Sequence, residues 1–284
     1  MIATGLEFEI EIESTSGGRT VPQSSEYVMA KVDAAAESER LALLESCRDP
    51  ATIARLEQLG VAPGWRCLEV GAGRGSIARW LADRVTASGS VVAVDIDPRF
   101  LTDVPENVQV RQLDIREQGV EPGEYDLVHC RALLMHMPDP KATLARMVSA
   151  LRPGGVLLAE EGDFGMYHYG GHPDAQALSE GARRALDAVT DAGVFNARFG
   201  RELPAMLPAC GLELLGSTVE TRVAEPGEPH YEFARVSALE SVPGFLAAGL
   251  MDGANVERLV SYFGQPGTII TGSSVVAAWG RKQA

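Results

Sequence analysis

Residues 66–75 read R-C-L-E-V-G-A-G-R-G, and this stretch restricts the fold more than any other in the chain. Arg66-Cys67-Leu68-Glu69-Val70 is short, mostly apolar and preceded by Pro63-Gly64, the pattern of a buried strand after a turn. Gly71, Gly73 and Gly75 then alternate, and an apolar helical run (Ile77, Ala78, Trp80, Leu81) begins at once. Strand, glycine turn and helix in that order bring bare backbone close to a ligand at a helix N-terminus. The spacing limits which ligand. A dinucleotide fingerprint needs a third glycine at position 76, which is Ser76. A phosphate-cradling loop needs a lysine, and this turn has none.

The next segments repeat the alternation of strand and helix. A helix from Ser76 to Val85 leads to the β-branched strand Val91-Val92-Ala93-Val94, which ends at Asp95. Asp97-Pro98 reads as the N-cap and first residue of another helix. Residues 108–113 form a third strand ending at Asp114-Ile115. A fourth, 125–130, ends at Cys130-Arg131 and leads into a helix interrupted by Pro138-Asp139-Pro140. Leu151-Arg152-Pro153-Gly154-Gly155 reads as the turn before a fifth strand, 156–160.

Taken together, E-V-G-A-G-R-G, V-D-I-D-P, L-D-I, Y-D-L-V and L-R-P-G-G resemble, in order and spacing, the class I S-adenosylmethionine-dependent methyltransferases over about residues 65–162. The resemblance implies an α/β fold: a doubly wound, Rossmann-like, seven-stranded and mostly parallel sheet. It also implies S-adenosylmethionine as cofactor and S-adenosylhomocysteine as product. On the same ground the cofactor contacts are expected from Glu69, Gly71, Ala72, Gly73, Gly75, Asp95, Ile96, Asp114, Ile115, Cys130 and Arg131. Asp95 is the first choice to accept both ribose hydroxyls, with Asp97 second. Asp114 would take the adenine amino group, with a turn cap as its plain alternative. Arg131 would face the methionine carboxylate, through its guanidinium or through backbone alone.

The rest of the chain divides around that core. Residues 6–13 alternate apolar and acidic, a half-buried strand followed by a link to residue 19; it is a candidate for pairing a homodimer or for a plain edge. Residues 20–60 are a helical cap, split in two at Asp49-Pro50, in which Tyr27 is a candidate substrate contact. The cofactor core spans 61–162. Residues 200–284 return to the sheet with a helix at 200–210, a strand at 211–224 and a final strand at 267–281; the resemblance implies that the two strands pair antiparallel at one edge. Two insertions, 163–199 and 225–266, hold many of the aromatics and are expected to form a substrate lid, with Phe164, Tyr167 and His168 facing the acceptor.

Methyl transfer needs an acceptor held in line with a sulfonium methyl, in a site shielded from water, and a base only when the acceptor is a hydroxyl or acidic carbon. His136, Glu161 and Asp163 are the catalytic candidates; His136 doubles as a substrate contact, and structural or solvated roles stand against all three. The acids with His168 and His172 raise a metal-assisted variant, but their dispersed spacing favours no metal. The net charge of −14, with no basic run, argues against nucleic-acid and anionic-membrane partners. Four scattered cysteines, no secretion signal and no long apolar span read as a reduced, cytoplasmic chain. The expected activity is methylation of O, N or C of a small organic molecule, as in secondary-metabolite or antibiotic biosynthesis. A same-fold decarboxylation, hydroxylation or cyclisation, or a scaffold that binds the cofactor without turnover, are the alternatives.

Overall fold

The computed structural model describes residues 33–283. The first helix, α1 (Ala34–Gln58), is capped by the Asp33 carboxylate, which accepts the Ala35 and Ala36 N–H groups. It is one helix, not the two expected from Asp49-Pro50. Pro50 removes a single hydrogen bond, and beyond it Ile53 and Leu56 pack into the core while Thr52 and Arg55 bind Glu160, which holds the continuation in register. The expected strand at 6–13 and Tyr27 lie outside the described residues.

From there strands and helices alternate: β1 (Arg66–Val70), α2 (Ser76–Val85), β2 (Ser90–Asp95), β3 (Val108–Gln112), β4 (Tyr125–Arg131), α3 (Pro140–Ala150) and β5 (Leu151–Asp163). β6 (His168–Gly170), α4 (Ala175–Asp191), α5 (Leu203–Ala209), β7 (Leu212–Glu220), β8 (Val223–Ala224), α6 (Pro229–Glu240), α7 (Val242–Ala247), α8 (Gly253–Phe263), β9 (Ile269–Thr271) and β10 (Ser274–Lys282) complete the described chain. Asp97-Pro98 opens only one 3-10 turn, Pro98–Phe100, with the Asp97 side chain accepting Arg99 N.

Seven strands form one sheet in the order β3-β2-β1-β4-β5-β10-β7. All pairs from β3 to β5 are parallel, and β10 runs antiparallel to both β5 and β7, as the resemblance implied. The order reverses between β1 and β4, so the carboxyl ends of these strands flank the switch point where ligands bind in open α/β sheets. Leu68, Val92, Leu127 and Leu158 are buried along near-continuous apolar strands, as a sheet covered on both faces requires.

Two boundaries differ from expectation. L-R-P-G-G belongs to β5: Leu151 already pairs with Tyr125, and the register then shifts so that Val156 meets Leu127, an irregularity that absorbs the Pro-Gly-Gly residues. The strand expected at 211–224 and the one expected at 267–281 each break. Their inner parts, β7 and β10, stay in the large sheet, while β8 and β9 join β6 in a separate three-stranded sheet ordered β6-β9-β8.

The chain forms two compact units. The sheet unit comprises Leu44–Asp163, Arg198–Glu220 and the stretch from Ser274 onward. In the described residues, the insertion unit comprises residues 33–43, Phe164–Ala197 and Thr221–Ser273. Its core is aromatic: Tyr169, Tyr231 and Tyr262 are buried with Leu178, Leu259 and Ile270, and Tyr169 and Tyr262 meet edge to face at 5.0 Å.

Candidate cofactor site

The glycine turn departs from β1 with Gly71, Gly73 and Gly75 all at positive φ (73°, 56° and 83°), where a side chain is strained. Space is tight at two of them as well. A Cβ on Gly71 would come 3.1 Å from Leu133, and one on Gly75 would come 2.7 Å from Leu101. The turn is tied to the end of β2: Gly71 N and Ala72 N donate to Val94 O at 2.9 and 3.2 Å, and Gly73 N donates to Asp95 Oδ2 at 2.9 Å. Asp95 Oδ1 accepts Asp97 N at 3.0 Å. Each carboxylate oxygen can accept a further bond, so Asp95 has room for two hydroxyls. Burial raises its pKa, opposed by these N–H donors.

The turn ends at α2, whose N-terminus has no side-chain cap of its own. Two acids from α1 serve it instead. Glu45 Oε1 accepts Ser76 N at 3.2 Å, and Asp49 Oδ1 accepts Ser76 Oγ at 3.1 Å. Carboxylates are favourable at a helix N-terminus, and here they occupy the place where a dinucleotide would set its pyrophosphate.

On the other side of the switch point, β4 ends in a strained turn. Ala132 holds φ 51°, a left-handed conformation unusual outside glycine, with its N–H bonded to Glu160 O. The following 3-10 turn, Leu134–His136, is gripped from β5. Glu161 Oε1 accepts Leu133 N and Leu134 N at 3.1 and 2.7 Å, and Oε2 accepts Met135 N at 3.2 Å. Burial raises the Glu161 pKa to about 7, against the pull of those three N–H groups.

Beneath the turn the interior is ionic. His129 is fully buried on β4, with Nδ1 2.7 Å from Glu69 Oε2 and Nε2 3.4 Å from Glu160 Oε2. Burial alone would push the ring's pKa down, but the Glu69 and Glu160 carboxylates outweigh it and hold it at about 9. Glu160 also accepts from Arg55 Nη1 at 2.6 Å and Thr52 Oγ1 at 2.5 Å, and Arg55 pairs with Glu220.

Several expected residues have partners in this arrangement. Glu69 Oε2 lies 2.7 Å from His129 Nδ1. The Arg131 guanidinium is turned to α1, 2.9 Å from Asp49 and 3.1 Å from Thr52, which anchors that helix. Glu160, Glu161 and Asp163 are not loop carboxylates but buried members of β5, and Asp163 is paired with Arg201 at 2.6 Å. Asp114 is bonded by Arg116 through backbone and guanidinium; those hydrogen bonds hold its carboxyl below the ordinary range. Ile96 is exposed, Ile115 and Cys130 are buried, and His136 sits in the gripped turn. Phe164, Tyr167 and His168 belong to the insertion unit, where Phe164 and Tyr167 stack at 6.0 Å and His168 is exposed on β6. Glu45, Asp49, Thr52 and His129 escape the sequence reading. Their one sequence signal is a charge or polar group recurring inside otherwise apolar runs.

Residues 68–159 match the family described as a methyltransferase domain. That segment of the chain is similar to methyltransferase domains. It is 29% identical over 143 residues to methyltransferase str3 of Strobilurus tenacellus, covering 50% of each protein. It spans about half the length of the curated relatives it matches. Among solved structures, the BH2331 protein of Bacillus halodurans C-125 superposes with a TM-score of 0.55 at 17% identity, covering 82% of this chain and all of that one. The [4+2]-cyclase SpnF superposes at 0.50 and 17%, covering 78% and 76%. At such identities these last two speak for the fold alone. Among the described residues, no helix is long and apolar enough to cross a membrane.

Proposed function

We propose that the protein binds S-adenosylmethionine and methylates oxygen, nitrogen or carbon of a small organic molecule. The observation that carries the reading is the pair of carboxylates, Glu45 and Asp49, at the N-terminus of α2. They repel the pyrophosphate that a nicotinamide or flavin dinucleotide would bring there and suit a ligand carrying an ammonium and a sulfonium. Asp95 supports it independently, since its two oxygens retain acceptor capacity for a ribose diol at the end of β2.

S-adenosylmethionine, when bound, supplies an electrophilic methyl on a positively charged sulfur. The chain's own part is positional. The bare glycine turn admits close approach, Asp95 fixes the ribose, and Asp114 with the Ile115 N–H addresses the adenine edge. Glu161 holds Leu133–Met135 in one conformation beside Gly71, so the wall of the site does not yield as an acceptor is pressed into line. His136, carried on that turn, is the candidate to take a proton from a hydroxyl acceptor. Phe164 and Tyr167 are the candidate acceptor contacts.

Incubation with S-adenosylmethionine and a panel of phenols, amines and activated carbon acids, read by mass spectrometry, tests the reading. Methyl-bearing products with matched release of S-adenosylhomocysteine are expected, and Asp95→Ala should weaken cofactor binding by about 1.5–3 kcal/mol, the worth of charge-assisted hydrogen bonds. Consumption of an acceptor with the cofactor left intact would instead favour non-methylating chemistry on this fold, such as a cyclisation. An unaltered dissociation constant in Asp95→Ala would remove the ribose assignment.

A further inference from the structure

The glycine turn is held at both ends by one continuous line of buried and half-buried side chains. At its start, Glu69 lies two residues before Gly71 and meets His129 Nδ1 at 2.7 Å. His129 Nε2 faces Glu160 at 3.4 Å, and Glu160 Oε2 accepts the Thr52 hydroxyl at 2.5 Å. Thr52 accepts Arg131 Nη1 at 3.1 Å, Arg131 Nη2 meets Asp49 at 2.9 Å, and Asp49 accepts the hydroxyl of Ser76 at 3.1 Å. Ser76 is the residue that follows Gly75. The line thus leaves the strand end of the turn, crosses β4, β5 and α1, and returns to its helix end.

His129 is the pivot of that line. A neutral imidazole has one N–H and one lone pair, yet this ring has a carboxylate oxygen at each nitrogen. With only one proton, the bare nitrogen would point its lone pair at a carboxylate inside a site from which water is excluded, a costly arrangement. Two N–H donors satisfy both contacts, and the cation offsets two anions that are themselves 4% and 1% exposed. We propose that His129 is a buried imidazolium acting as a positioning residue, which fixes the glycine turn through Glu69 and couples it through Glu160 and α1 to Ser76. It touches no ligand. The groups facing it are Glu69 from β1 and Glu160 from β5, with Arg55 and Thr52 of α1 behind Glu160. The ring's pKa, held at about 9, agrees with the geometry.

The consequence for ligand binding rests on the S-adenosylmethionine reading, but the relay itself does not, so the test has arms of both kinds. Nitrogen-15 NMR of the wild-type imidazoles at neutral pH should show one histidine protonated at both nitrogens, absent in His129→Gln and titrating only near pH 9. A neutral His129 ring at neutral pH overturns the proposal, and this arm reads the wild type even if the variant folds poorly. Hydrogen exchange of the ligand-free protein should show amides of residues 71–76 exchanging about tenfold faster in His129→Gln, with α3 unchanged. Unaltered exchange in the turn, or acceleration spread evenly over the sheet, would overturn it by reducing His129 to a packing residue. Wild-type affinity for S-adenosylmethionine should decline above about pH 9, and His129→Gln should bind more weakly without that inflection. Absence of any binding to the wild type, with the first two results as expected, would sink the cofactor reading and leave the relay standing.

Discussion

The two units of this protein fill their cores with different kinds of side chain. In the sheet unit, Leu56, Val61, Leu81, Val91 and Leu127 make an aliphatic core, and charged groups (Glu69, His129, Glu160, Arg55) lie buried beside it. In the insertion unit the core is ringed by tyrosines: the Tyr262 hydroxyl ends on backbone, that of Tyr231 on Thr268, and that of Tyr169 accepts from Tyr167. Tyr262 Oη donates to Ile269 O at 2.5 Å, and Tyr231 Oη meets Thr268 Oγ1 at 2.7 Å. A parallel sheet satisfies its own backbone and fills its interior with aliphatic side chains, so any ion it buries must be held by other ions and serves to position something. Three strands of two or three residues cannot do that. They depend on large ring surfaces for burial and on phenol hydroxyls to satisfy an irregular backbone. Buried charge in the sheet unit lies beside the candidate site, whereas the insertion unit combines its tyrosine core with the buried Glu37–Arg40 pair, 2.7 Å apart.

The sharpest way to break this contrast is Glu161→Ala. It strips three buried N–H groups of their acceptor, and on the order of 3 kcal/mol or more of stability should be lost in denaturant unfolding. A cost no larger than that of a surface substitution would mean the gripped turn does not need its acid. Tyr262→Phe should cost about 1–2 kcal/mol, since it keeps the ring contacts and removes only the hydroxyl's bonds to Gly170 and Ile269. If it cost as much as Glu161→Ala, the units would not differ in kind.

Alkaline pH separates them further. His129 has a folded pKa raised above its ordinary 6.5, so its contribution is fully present below pH 6.5 and is lost as pH rises through about 9. Glu161 in the sheet unit and Glu240 in the insertion unit, both raised from 4.5 to about 7 by burial, lose theirs earlier, between those values. Melting temperatures should therefore fall from neutral pH to pH 9 in the wild type, and fall less in His129→Gln. Equal slopes would contradict the ionic account of the sheet unit. The smallest effect on stability is expected from His136→Ala, which should leave cofactor affinity unchanged while lowering turnover on a hydroxyl acceptor. Unchanged turnover on such an acceptor would remove His136 as the base.

The same contrast explains what could be read from the chain. Arg66–Val70 and Ser76–Val85 form the strand and helix expected of them, because glycine punctuation and apolar period are local signals. The partners of His129 are not local. Glu69 stands opposite it only through the β1–β4 register, and Glu160 arrives from the next strand, so a histidine in Y-D-L-V-H-C-R reads as an incidental polar residue until strands are paired. Pro50 misled because a proline signals a break whatever tertiary contacts lie beyond it. The small sheet was missed because strands of two or three residues, such as Val223–Ala224, are too short to display a period of two.

Calorimetric titration of the purified protein with S-adenosylmethionine, S-adenosylhomocysteine and NAD, each alone, tests the central claim most directly. The arrangement of Asp95 with Glu45 and Asp49 predicts micromolar binding of the first two and no heat from the third. A nicotinamide dinucleotide that binds, or a folded protein silent to both sulfur ligands, would contradict it.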